Sequence, residues 1–178
     1  MDDNQHHQDG TKNVHAGTNH VGESVNTPIF LSSTYKLTEE RYAGWAAGAQ
    51  HTLLYSRISS VNSDAVAQKI CAMEGGEDAE TFASGMAAIS STLMMLLSQG
   101  DHMVASPDVY GGTYGLITEE LPRFGIEVTM ADMTEPSSYE AAIQPNTKIL
   151  YIETITNPNL KVCDIPAMVE IGKRHNLL

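Results

Sequence analysis

The chain has 178 residues, with 10 Lys+Arg against 22 Asp+Glu and a formal net charge of −12. That length suits about one domain, and 42% hydrophobic with 18% charged residues excludes a wholly disordered chain. The acidic balance speaks against nucleic-acid binding through phosphate contacts and against docking on an anionic membrane, since neither has a basic stripe to hold it.

Residues 1–60 show no sustained period. They hold turn residues such as Asp9-Gly10 and Thr27-Pro28, and one short helix is predicted over 38–47, with Thr38 as its cap and Glu39-Glu40 at the positive end of its dipole. So long an irregular stretch reads as disordered or as an arm that packs on something else, such as a partner subunit. From about residue 62 the pattern changes. Asn62 or Ser63 is expected to cap a helix with Val66, Ile70 and Met73 on its apolar face, and Gly75-Gly76 ends it. A short strand over 79–82 follows. After Ser84-Gly85 comes a helix with Met86, Ile89, Leu93 and Leu96-Leu97 on one side, stopped by Gly100-Asp101. Then come a strand at 103–105, a helix over 113–121 with Pro122 beyond its end, and a strand over 127–130. Thr134 is expected to cap a helix with Pro136 in its first turn and Tyr139 and Ile143 facing inward. A buried strand follows at 149–152. Asp164 caps the last helix, with Pro166 in its first turn and Ile165 stapled onto Val169.

Strands alternating with helices predict an α/β fold with a parallel sheet covered on both faces. Leu177-Leu178 reads as the first step of a further strand, one expected to lack a partner, and marks the chain as a fragment of a longer protein. No run approaches the ~18 apolar residues of a membrane span. The acidic polar start, Met1-Asp2-Asp3-Asn4-Gln5, is not a secretory signal. Cys71 and Cys163 could in principle pair, but read as reduced thiols of a cytoplasmic protein. His6, His7, His15 and His20 have no ligand spacing of a known type, and they, His51, His102 and His175 read as solvated loop residues rather than a metal site.

Ligands of open parallel sheets sit at the carboxyl ends of the strands. Four segments are candidates there or on the arm. Ser84-Gly85-Met86 is a strand-to-helix turn whose free amides could cradle a phosphate, or an ordinary capped turn. Tyr55-Arg57 could bind phosphate, or be a solvated surface pair. Tyr110, followed by Gly111-Gly112, could stack on a planar ligand, or be a rim tyrosine. Glu153 and Asn157 could orient a polar ligand, or serve turn chemistry before Pro158.

Taken in order, Tyr55-Ser56-Arg57, Glu74-Gly75-Gly76-Glu77, Ala83-Ser84-Gly85-Met86-Ala87-Ala88, Tyr110-Gly111-Gly112-Thr113-Tyr114 and Glu153-Thr154-x-x-Asn157-Pro158 closely resemble the Cys/Met-metabolism (trans-sulfuration) family of pyridoxal-phosphate enzymes. The family includes cystathionine γ-synthases, cystathionine γ-lyases, methionine γ-lyases and O-acyl-homoserine sulfhydrylases. The resemblance runs from about Val14 to Leu178, somewhat less than the first half of a family member. It implies an aspartate-aminotransferase-like, fold-type-I major domain, incomplete over 61–178, preceded by an arm over 1–60 that contacts a partner subunit. It implies pyridoxal 5′-phosphate as cofactor, with Gly85, Met86 and Ser84 at its phosphate. Tyr55 and Arg57 would reach the phosphate of a neighbouring subunit's cofactor. Tyr110 would stack on the pyridine and help move the substrate's amino proton, Asn157 would lie near the 3′-oxygen, and Glu153 would support the same turn.

The implied activity is elimination or replacement at the γ carbon of a homoserine- or homocysteine-derived amino acid, in a homo-oligomer, expected to be a tetramer, of the full-length protein. Some positions depart from the family pattern: Ser60-Val61-Asn62 stands where Asn-Pro-Thr is common, and Ile155 replaces a usual proline. Gly112 stands where many methionine γ-lyases carry a cysteine, which favours the cystathionine and acyl-homoserine branches. None of Lys12, Lys36, Lys69, Lys148, Lys161 and Lys173 matches the family's Schiff-base lysine. The isolated chain is therefore expected to be inactive, or alternatively to act as a non-catalytic subunit that docks on full-length members.

Overall fold

A computed structural model describes residues 9–18, 24–49 and 52–178. The chain forms two compact units, Met1–Phe82 and Ala83–Leu178.

Among its described residues, the first unit is built on three helices. Helix α1 (Asp9–His15) packs against α3 (Val61–Glu74), and α2 (Glu39–Ala46) begins at the predicted cap, where the Thr38 hydroxyl accepts from Arg41 N. Ser60, not Asn62 or Ser63, caps α3. It exchanges bonds with Ser63 in a reciprocal capping box, which satisfies two otherwise orphaned amides. Asn62 instead accepts from Phe30 N at 2.8 Å and donates to Pro28 O at 2.9 Å, tying down the extended segment before α2. Gly75 ends α3 in the left-handed conformation at φ 67°. The apolar face expected on α3 is not its buried face: Val66 and Ile70 are exposed, and Ala67 is the buried residue. The reason lies in the turn just after α1. A Cβ on Gly17 would fall 2.3 Å from the carbonyl of Ala65, so the backbones approach too closely for large side chains between them. Residues 79–82 form no strand. Asp78 and Glu80 accept from the amides of Ala79 and Thr81, and this local pairing competes with a ladder.

The second unit is a three-stranded parallel sheet in the order β2–β1–β3, with β1 (His102–Ala105) at its centre between β2 (Glu127–Met130) and β3 (Thr147–Tyr151). Side chains alternate across the sheet. Met103 and Ala105 join Leu93, Leu97, Ile117, Leu121 and Ile149 on one face. Val104 joins Met133, Tyr139, Met168 and Ile171 on the other. The first face is covered by α4 (Gly85–Leu96) and by α5 (Gly111–Gly115), which runs on into a π-helical turn and a 3-10 turn as far as Phe124. Pro122 therefore lies inside this helical segment rather than beyond it. It sits in the first turn of the 3-10 stretch, where a missing N–H costs nothing.

The other face is covered by α6 (Pro136–Ala141) and α7 (Ile165–His175). Glu135 precedes α6, while Thr134 bonds back to Asp132 and does not cap it. Asp164 caps α7 as expected, but the staple differs. Cys163 and Met168 occupy the positions before the cap and four into the helix, and both are buried in one cluster, whereas Ile165 and Val169 are exposed. Leu178 does pair: its amide donates to Lys148 O at 3.0 Å and its carbonyl accepts from Leu150 N at 2.8 Å, a parallel bridge on the free side of β3. Both cysteines are free thiols. Among the described residues, no helix is long and apolar enough to cross a membrane and no group of three or more side chains could hold a metal. His6, His7, His20 and His51 lie outside the described residues.

His102 is not a solvated loop residue. It is fully buried in β1, its Nδ1 2.7 Å from Thr147 Oγ1 and its Nε2 2.9 Å from Thr129 Oγ1, with Gln144 Nε2 at 3.2 Å. Burial holds the imidazole below its ordinary 6.5, outweighing the opposing pull of Glu127. The unfolded chain therefore takes up the proton first as pH falls through about 6.5, and stability present above that value is lost towards the lower folded value. The melting temperature is expected to drop between about pH 7.5 and about pH 5. The drop should be smaller in His102→Gln, as thermal unfolding followed by circular dichroism at the two pH values would report.

Candidate functional site

The loops leaving β1 and β3 meet at the carboxyl edge of the sheet. Tyr110 stands at the head of α5 with its side chain half exposed, and its amide donates to Glu153 Oε1 at 2.9 Å. Asn157 is exposed in the loop after β3, before a cis bond to Pro158. Tyr110, Tyr114, Asn157 and Asn159 line a common open hollow of about 500 Å³. Glu153 thus reaches from one loop to the other and fixes the backbone of the tyrosine above it.

Met86 borders the same loop. Its Sδ lies 3.8 Å from the buried Thr113 hydroxyl. A Cβ on Gly112 would fall 2.6 Å from Tyr110 Cε1 and 3.1 Å from Met86 Sδ, so only glycine lets the ring and the thioether close over this turn. Ahead of Met86, the Ser84 hydroxyl accepts from Ala87 N at 3.1 Å and caps α4. The amides of Gly85 and Met86 open a twelve-residue helix, and the space where a Gly85 side chain would stand is empty to 4 Å. Two unpaired amides at a positive helix end, a serine hydroxyl and open space suit an anion.

Tyr55 and Arg57 lie in the first unit and pair with one another. Arg57 Nη2 donates to Tyr55 Oη at 2.6 Å, with the guanidinium 5.2 Å from the ring centroid. An antiparallel bridge between Thr34 and Tyr55 and the bond from Ser56 N to Ser33 O anchor this turn, leaving Arg57 exposed.

Three residues of the site escaped the sequence reading. Asp108 Oδ2 lies 2.6 Å from Lys161 Nζ, and Asp108 Oδ1 accepts from Asn159 Nδ2 at 2.8 Å. Hydrogen bonds from Lys161 and Asn159 hold the Asp108 carboxyl below its ordinary range. The same carboxylate raises Lys161, so the amine beside this hollow stays a protonated cation. The available signal was positional: Asp108 stands two residues before Tyr110, and Lys161 four after Asn157.

A family model described as Cys/Met metabolism PLP-dependent enzyme matches residues 10–178. The chain belongs to this family. It is 48% identical over 156 residues to cystathionine beta-lyase MetC of Bacillus subtilis, covering 87% of this chain and 38% of that protein. To the L-methionine gamma-lyase of Porphyromonas gingivalis it is 39% identical over 168 residues, 93% of this chain and 42% of the relative. Among solved structures, it superposes with a TM-score of 0.81 on cystathionine gamma-lyase from Lactobacillus plantarum complexed with L-serine. The identity there is 36%, covering 97% of this chain and 43% of that one. A putative O-acetylhomoserine (thiol)-lyase from Campylobacter jejuni gives a TM-score of 0.86 at 32% identity, covering 97% and 43%. The chain thus spans about two fifths of the length of these curated Cys/Met-metabolism relatives. Its α/β unit is part of a fold-type-I pyridoxal-phosphate enzyme fold. The family uses pyridoxal phosphate and acts on metabolites of cysteine and methionine.

Proposed function

We propose that this chain contributes one part of a pyridoxal-phosphate pocket in a trans-sulfuration enzyme that eliminates or replaces a group at the γ carbon of a homoserine- or homocysteine-derived amino acid. The observation that carries the reading is the convergence of Met86, Tyr110 and Glu153 about the Gly112 turn, beside the open amides of α4. These residues fit an anionic aromatic group. The amides of Gly85 and Met86, with Ser84 beside them, hold its phosphate. The half-exposed Tyr110 ring covers one face of the planar part, and its hydroxyl moves a proton at the substrate's amino nitrogen. Asn157 orients a ring oxygen through its amide, and Glu153 keeps Tyr110 in place. The cofactor, when bound, supplies the electron sink for cleavage beside the substrate's amino group and further along its side chain.

Tyr55 and Arg57 serve the phosphate of a cofactor held by a neighbouring copy, their hydrogen bond presenting a hydroxyl and a fork of N–H donors together. On this reading residues 1–60 form an arm onto a partner subunit, residues 61–178 form the first part of the cofactor-binding domain, and the full-length protein is a cytoplasmic homo-oligomer, a tetramer. A second reading, reaction at the β carbon, is favoured by the 48% identity to a cystathionine beta-lyase.

This chain holds the cofactor without a covalent link. The one lysine beside the hollow, Lys161, is paired with Asp108 and protonated, which denies it the free electron pair a carbonyl needs. Titration with pyridoxal phosphate is expected to give saturable, reversible binding. Borohydride treatment followed by intact-mass analysis is expected to give no stoichiometric single-site adduct, and cystathionine to be left unconsumed. An adduct with turnover would overturn the non-covalent assignment, and absence of saturable binding would overturn the pocket.

A further inference from the structure

We propose that Asp108 is a positioning residue: its carboxylate latches the loop after β1 to the loop after β3, and so fixes the spacing between Tyr110 and Asn157. The inference rests on the reading of this hollow as a cofactor pocket, and adds a residue to it.

The geometry is that of a two-ended clasp. One oxygen of Asp108 takes Asn159 at 2.8 Å and the other takes Lys161 at 2.6 Å, from two positions of the same turn. Asp108 is itself held from within its own loop, since its amide donates to the fully buried Ser106 hydroxyl at 3.1 Å. The receiving turn is equally organised. The buried Thr156 hydroxyl accepts from Lys161 N at 3.0 Å, Thr156 N donates to Lys161 O at 3.0 Å, and Leu160 N donates to Thr156 O at 3.1 Å. Asn157 and Pro158 lie inside that closed turn and have no other tie across the hollow among the described hydrogen bonds. A second carboxylate, Glu153, makes the reverse connection to Tyr110 N. The loops are therefore stitched twice, once in each direction, at Asp108 and at the amide of Tyr110.

A charge-assisted bond from a cation together with a neutral amide donor resists loss of either partner better than a lone surface pair does. Glu153 holds the tyrosine's amide directly, whereas Asp108 holds the turn that carries Asn157 and keeps the two loops close enough for the Glu153 bond to form. Removing Asp108 should thus let the two walls separate without unfolding the sheet beneath them.

Amide exchange in the 178-residue chain, resolved by NMR, tests this directly, with Leu150 in β3 as the reference amide. Asp108→Ala is expected to speed exchange at Tyr110 and at position 161 by about tenfold with Leu150 unchanged, Lys161→Met to speed it less because Asn159 still holds Asp108, and Lys161→Arg to stay near wild type. Asp108→Asn, which keeps the shape and loses the charge, covers the case in which the alanine variant fails to fold, and should lie between. Unchanged exchange at Tyr110 and Lys161, or equal acceleration at Leu150, would overturn the latch. Titration with pyridoxal phosphate on the same samples is expected to show weaker binding wherever exchange is faster. If the wild-type chain takes up no pyridoxal phosphate while the exchange pattern is as expected, the cofactor reading fails and the latch stands. If binding is normal in Asp108→Ala with exchange unchanged, the latch fails and the cofactor reading stands.

Discussion

Gly85→Asp is expected to abolish binding of pyridoxal phosphate to the chain while leaving it folded and slightly more stable. The two effects have opposite signs because they come from one feature. Helix α4 has no acidic residue in its first turn, so a carboxylate there meets an uncompensated positive helix end and stabilises it by about 0.3–1 kcal/mol. The position is open to 4 Å and its backbone is not left-handed, so the side chain enters without a clash. A phosphate seeking the same amides would face that carboxylate at roughly 4 Å. Two such charges repel by about 4 kcal/mol at the effective dielectric of a protein surface, close to three orders of magnitude in affinity. Fluorescence titration with pyridoxal phosphate, beside thermal unfolding of the same sample, checks both signs. Binding retained at wild-type strength would place the phosphate elsewhere.

Gly112→Ala should also damage binding, by a different route. Its Cβ would stand 2.6 Å from the Tyr110 ring and 3.1 Å from the Met86 sulfur, well inside normal carbon contact. Met86 can bend away, because thioether chains are flexible. Tyr110 is half exposed, so the inexpensive response is for its ring to swing out over solvent rather than for the core to deform. Stability should change by less than about 1 kcal/mol, well below the cost of overpacking a closed core. Affinity for pyridoxal phosphate should fall by about tenfold or more as the stacking face is lost. NOEs between the Tyr110 ring and the backbone of residue 112, present in wild type, should vanish. Their survival with unchanged affinity would mean that the ring position does not depend on glycine.

What the sequence made legible was local. Thr38 and Asp164 announced their caps, Gly75 its helix end and 127–130 its strand, because each signal is completed within a turn or a few residues. What it hid depended on a distant partner. The buried face of α3 is set by how closely Gly17 approaches it, and nothing in the spacing of Val66 and Ile70 records that. The start of α7 had the right ingredients but the wrong pair, since Cys163 and Met168 become neighbours only when both enter the second core cluster. His102 was unreadable as a buried residue because its hydroxyl partners lie 27 and 45 residues away.

The site divided in the same manner. Tyr110, Glu153 and Asn157 could be placed at strand ends by their order and by family resemblance; the fold brings Tyr110 and Asn157 around one hollow and ties Glu153 to the amide of Tyr110. Asp108 and Lys161 are 53 residues apart, and only the completed sheet makes them partners.

The buried imidazole of His102 has a consequence at the opposite end of the sheet. It ties β1 sideways to Thr129 of β2 and Thr147 of β3 at once, so a slide of either neighbour along β1 would strand polar atoms in the interior. His102 opens β1 and Thr147 opens β3, so this pin at the entrance of the two strands bears on where they exit. The alignment of the tyrosine on one exit with the glutamate on another is thus indexed by a histidine that no ligand could ever touch.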